Sequence, residues 1–97
     1  MKRDQAIKLI RAEKETIRRQ YLVKSLLLFG SVARDQAMPG SDIDLVVKFN
    51  QPVGLFHFVG LKQYLEEILG CKVDLATYRS LKPYIKQQVL EEAVLVT

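Results

Sequence analysis

The stretch from Asp42 to Phe49 constrains this chain most, because hydrophobic side chains there fall on every second position. In an extended segment Ile43, Leu45, Val47 and Phe49 share one face, and Asp42, Asp44, Val46 and Lys48 share the other. The segment therefore predicts a strand with an apolar back that something must cover. Leu26-Leu27-Leu28-Phe29 is a continuous apolar run, too short for a buried helix and ended abruptly by Gly30, which predicts a second, buried strand. Lys72 to Thr77 predicts a third, with Val73, Leu75 and Thr77 opposite Asp74 and Ala76.

Around these strands the apolar residues change to helical spacing. Ile7, Ile10, Ile17 and Tyr21, with Ala6 and Leu22 beside them, predict a helix capped by Asp4 and running to about Gln20. A second amphipathic helix is expected from Leu55 to Leu69, with Phe58, Leu61, Leu65, Ile68 and Leu69 on its apolar face and Gly70 as its stop. Pro83 suits the first turn of a last helix over roughly Lys82 to Glu92, and Ala93 to Val96 can add a short strand. Ser31 to Ala37 has room for one or two helical turns, and Met38-Pro39-Gly40-Ser41 reads as a loop. No linker, repeat or low-complexity segment interrupts the order, so the expectation is one α/β domain over residues 1–97. Alternation of strands and helices leaves the sheet topology open.

A chain of 97 residues has one core and no room for a deep pocket, so a large substrate site must be shallow or completed by another protein. Cys71 and His57 are the only residues of their types, which removes disulfide, Cys-based zinc and His-triad chemistry within the chain. Cys71 is expected as a small half-buried thiol. No signal-peptide pattern and no membrane-length apolar run occurs, and the expected compartment is the cytoplasm. Residues 1–25 carry eight Lys/Arg against three Asp/Glu, whereas the remainder is nearly balanced. A solvated helix face explains that bias better than a nucleic-acid site, because no aromatic interleaving accompanies it.

The chemistry begins with Asp42 and Asp44. Two carboxylates at i and i+2 project from one strand face about 6–7 Å apart and repel unless something neutralises them. A hard divalent cation such as Mg2+ would do so, although two solvated acids at a strand end are the simpler alternative. Asp74, between Val73 and Leu75, would add a third oxygen donor if its strand lies beside the first; otherwise it caps a loop or pairs with Lys72 or Arg79. The Gly30-Ser31 turn follows a buried strand and opens a short helix, so backbone N–H groups there can face a phosphate. Glycine permits close approach, and the Ser31 hydroxyl adds a donor.

Phe29-Gly30-Ser31, ten intervening residues, and Asp42-Ile43-Asp44-Leu45 resemble the signature of the DNA polymerase beta-like nucleotidyltransferase superfamily. Ala33-Arg34 and Gly40-Ser41-Asp42 match it further, and Asp74 falls where that family places its third carboxylate. Asp35 departs from the pattern, standing where the family usually has Gly. The resemblance implies a small mixed or antiparallel sheet flanked by helices. It also implies Mg2+, two ions, held by Asp42, Asp44 and Asp74, with ATP phosphates on Gly30 and Ser31. Arg34 either assists those phosphates or pairs with a neighbouring acid. The short length is similar to that of the minimal nucleotidyltransferases, whose partners are HEPN helical toxins. That branch implies an antitoxin that adenylylates a tyrosine of a HEPN ribonuclease, with nucleic acid not the direct substrate. An antitoxin acting by occlusion alone, or a subunit modifying a small molecule, are the rival expectations. Val53, Leu55, Phe56 and Phe58 exceed what one helix face can bury, so Phe56 and His57 are expected to face a partner while Phe58 packs inward.

Overall fold

The computed structural model describes residues 1–36, 40 and 42–97. Their order is α1 (Arg3–Ala12), α2 (Lys14–Gln20), β1 (Val23–Phe29), α3 (Gly30–Ala33), β2 (Ile43–Phe49), α4 (Leu55–Leu69), β3 (Val73–Thr77), a 3-10 turn (Tyr78–Ser80), α5 (Pro83–Glu92) and β4 (Val94–Leu95). The strands form one mixed sheet in the order β3-β2-β1-β4. β1 runs antiparallel to both β2 and β4, whereas β2 and β3 are parallel and joined through α4. Residue 37, at the end of the expected helical turns, and residues 38, 39 and 41 of the expected loop lie outside the described set.

The alternation in β2 does what its pattern requires. Ile43, Leu45 and Val47 are buried on the back of the sheet, in one cluster with Leu26 and Leu28 of β1 and Val73 and Leu75 of β3. Ala6, Ile10, Ile17, Leu61, Leu65 and Leu69 from α1, α2 and α4 belong to the same cluster, so these helices cover the back face. Phe58 and Ile68 pack against it half-buried. α4 has the expected limits and ends at Gly70, whose φ of +69° is a left-handed backbone that glycine adopts without a side-chain clash.

The predicted helix from 4 to 20 is two helices. Glu13, with φ −109° and ψ 17°, interrupts it, and Lys2 rather than Asp4 occupies the N-terminal cap. No Gly or Pro announces the break. Its anchor is tertiary, for the Tyr64 hydroxyl on α4 donates to Glu13 Oε2 at 3.0 Å. Asp4 sits instead in the first turn, where an acid complements the helix dipole. Leu22 does not join the helical stripe; it turns the chain into β1 with φ +60°, and the Asn50 amide donates to its carbonyl at 2.8 Å. β1 then starts three residues before its apolar run, through the pairing of Val23 with Phe49.

Val46 also departs from expectation. It belongs to the front face with Asp44 and Lys48, yet it is 4% exposed and lies outside the back-face cluster. Val89 of α5 is likewise buried outside that cluster. Glu92 at one end of α5 meets Arg34 beyond β1, and Lys86 meets Tyr78 beyond β3. These contacts lay α5 along the front of the sheet.

Truncation at the centre of the back face and strain at its edge should separate cleanly in urea unfolding. Leu65→Ala should cost about 3 kcal/mol through lost burial and the cavity left behind. Gly70→Ala, whose added methyl meets nothing within 4 Å, should cost about 1 kcal/mol from backbone conformation alone.

Candidate active site

Asp44 and Asp74 are register partners in the parallel β2–β3 ladder. Adjacent strands lie about 4.8 Å apart and partner side chains share a face, so the two carboxylates stand side by side on the front of the sheet. Asp44 is half-buried and Asp74 exposed. Asp42 is exposed and stands one residue before β2 begins. Burial pushes the Asp44 carboxyl above its usual pKa, and the charges of Asp74 and then Asp42 push it further the same way. A hydrogen bond shared with Asp74 adds to the rise, while Arg34 opposes it. Among the described residues no three His, Cys, Asp or Glu side chains converge tightly enough to clasp an ion by themselves. The structure thus joins Asp44 to Asp74 and leaves Asp42 at the mouth, close enough to act through its charge. Carboxylate oxygens are the hard donors that a divalent cation such as Mg2+ takes, and a cation here would offset the charge that Asp74 and Asp42 bring to Asp44.

The other wall is the turn at Gly30. Phe29, the last residue of β1, is the partner of Asp44, so the chain enters α3 directly beside that carboxylate. Gly30 has φ +74°, and a Cβ built there would fall on Asp44 Oδ2 and stand 3.1 Å from its Cγ. Glycine is required twice at this position, by the backbone and by the acid. α3 is one turn long and no side chain caps its start, so its first amides have no partner within the helix. Ser31 is the second residue of that turn and is half-buried.

Arg34 ends α3 and is exposed. Its Nη1 lies 3.5 Å from Glu92 Oε2, and its Nε donates to Gln36 Oε1 at 3.4 Å. Of the two expectations for Arg34 the structure displays the ion pair, with a partner 58 positions away that no local pattern indicates. Asp35 has φ +57°, a left-handed backbone that Asp tolerates better than most residues. Its Oδ1 accepts the Arg3 amide at 3.3 Å, so the acid is engaged at the start of α1.

Of the two residues expected at a partner surface, Phe56 is 91% exposed, beside Leu55 at 73%. His57 is not available in that way. Its Nε2 lies 2.7 Å from the Tyr21 carbonyl, and its ring packs edge-on against Tyr21 and Phe49. A side chain with those internal contacts belongs to the fold. Cys71 is half-buried, and burial raises its thiol pKa, consistent with an inert packing role.

The family model for the nucleotidyltransferase domain matches residues 9–96. A protein adenylyltransferase of Thermococcus cleftensis is 39% identical over 88 residues, spanning 91% of this chain and 89% of the relative. A solved structure of a candidate minimal nucleotidyltransferase superposes with a TM-score of 0.82 at 34% identity, covering 97% of this chain and 95% of that one. A chain from the crystal structure of a toxin–antitoxin with AMP-PNP superposes with a TM-score of 0.74 at 25% identity, covering 90% of this chain and 72% of that one.

The raised pKa of Asp44 has a defined consequence for stability. Its ionised form is disfavoured in the fold, so the penalty is absent below the ordinary value of 3.8 and complete above the raised folded value. In EDTA, Asp44→Asn should therefore melt above the wild type at pH 7, and the difference should vanish as pH is lowered through that window. Differential scanning fluorimetry across pH checks it. Gly30→Ala, measured alongside, should melt below the wild type at every pH.

Proposed function

This chain belongs to the nucleotidyltransferase domain family, and from that premise we propose that it transfers AMP from Mg2+-bound ATP to a hydroxyl of a helical partner protein. The observation that carries the reading is the in-register Asp44–Asp74 pair set against the side-chain-free wall of Gly30. Family likeness supplies the partner: a HEPN toxin, with this chain as its antitoxin and a tyrosine as the acceptor. The toxin–antitoxin chain that superposes on it, and the adenylyltransferase activity named for its relative, support that assignment.

In this reading Asp42, Asp44 and Asp74 would hold the cations. When bound, Mg2+ neutralises the phosphates and lowers the pKa of a coordinated hydroxyl. The amides of the Gly30 turn and the Ser31 hydroxyl bind the β- and γ-phosphates, which fixes the α-phosphorus in front of the acids. Asp74, the more exposed of the ladder pair, receives the proton of the incoming tyrosine hydroxyl. The tyrosine oxygen forms its bond to the α-phosphorus as the bond from that phosphorus to the bridging oxygen breaks, and pyrophosphate leaves from the turn. Arg34 must exchange Glu92 for phosphate if it contributes charge. The shallow front face leaves the acceptor to be positioned by the partner, for which exposed Leu55 and Phe56 offer apolar contact area.

The chain co-purified with its HEPN partner and given Mg2+-ATP should place an adenylyl increment on a partner tyrosine, read by mass spectrometry. Asp42→Ala or Asp44→Ala should reduce the rate by about a thousandfold, as loss of transition-state charge stabilisation does. EDTA should abolish it. Variants that transfer nothing yet still neutralise the toxin would move the function to occlusion. Modification of a small molecule in place of the partner would move it to the third reading.

A further inference from the structure

The front of the sheet carries opposite charges at its two ends. The carboxylates stand at the amino ends of β2 and β3. Four residues further along β2, about 13 Å away at strand rise, Lys48 begins a cluster of cations. Its Nζ lies 4.4 Å from the centroid of the Tyr78 ring, and Lys86 Nζ lies 5.5 Å from the same ring. Arg79 follows Tyr78 in the 3-10 turn. Among the described residues none of these three cations has a carboxylate within 4.0 Å. Holding ammonium groups near one aromatic ring fixes their positions, and their mutual repulsion stays unrelieved until an anion arrives.

Beside this cluster lies a cleft of about 430 Å3, within the range of small-molecule sites. It opens outside the carboxyl ends of the parallel β2–β3 pair, where diverging loops leave a crevice. Lys48, Tyr78 and Arg79 line it, together with Phe49, Asn50 and Gln51. Pro52 and Val53 give the cleft an apolar wall for a flat body, and each side-chain amide offers both donors and an acceptor to a polar edge. An anionic group joined to a flat heterocycle with a polar edge satisfies both halves.

We propose that this cleft is a second ligand site, separate from the carboxylates, that binds a nucleoside monophosphate with its phosphate at Lys48 and Arg79 and its base beside Asn50, Gln51, Pro52 and Val53. The sign of charge keeps the two sites apart. Without a divalent cation, the acidic end repels a phosphate and the cationic end attracts it.

The test uses the full chain in EDTA, with AMP as probe and adenosine and inorganic phosphate in parallel titrations, followed by amide chemical shifts in NMR. AMP should shift residues 47–53 and 77–79 and bind at least about tenfold more tightly than adenosine or phosphate. Lys48→Gln with Arg79→Gln should weaken AMP at least about tenfold, while Asp44→Asn leaves it within about twofold. The same spectra report that each variant is folded. Shifts centred on residues 30–34 and 42–46 would make the ligand part of the carboxylate site and overturn the proposal. So would adenosine or phosphate binding as tightly as AMP, an unaltered affinity in the double variant, or no shift at millimolar AMP.

Discussion

Asp44 and Asp74 stand side by side because two apolar pairs on the opposite face of the sheet hold their strands in register. Ile43 is the partner of Val73 and Leu45 of Leu75, and all four are buried. α4 carries Leu61, Leu65 and Leu69 into the same cluster and connects the two strands. A slip of one residue would turn every one of these side chains to the wrong face, at a cost in buried area far beyond what carboxylate repulsion could repay. The repulsion of the acids is thus tolerated because hydrophobic burial behind them outweighs it.

The same reasoning explains how much was legible in the sequence. Period-two patterning is a local property, so β2, its two faces and the strand bearing Asp74 could be read directly. α4 and its stop at Gly70 were legible for the same reason, since spacing and a left-handed terminus are both local. What could not be read depended on partners distant along the chain. The break at Glu13 goes with a tyrosine in α4, and the ion pair of Arg34 with a glutamate 58 positions on. His57 looked free because its polarity was visible in the sequence, whereas the Tyr21 carbonyl that engages it was not.

α5 gives the front face its asymmetry. Between Asp44 and Lys48 on β2, Val46 is buried, so a face that reads as continuous in the strand is interrupted in the fold. α5 is tied through Glu92 to Arg34, the residue that ends α3, and through Lys86 to Tyr78.

The closeness of Gly30 to Asp44 bears on how such a chain can change over generations. Any side chain at position 30 meets the carboxylate of position 44, and the positive φ at position 30 disfavours L-residues in any case. The two positions therefore behave as one heritable unit, although fourteen positions separate them in the chain. A lineage that gave up the acid would relieve the contact but keep the backbone demand, so the glycine should outlast the aspartate in descendants that retain the fold and abandon the chemistry.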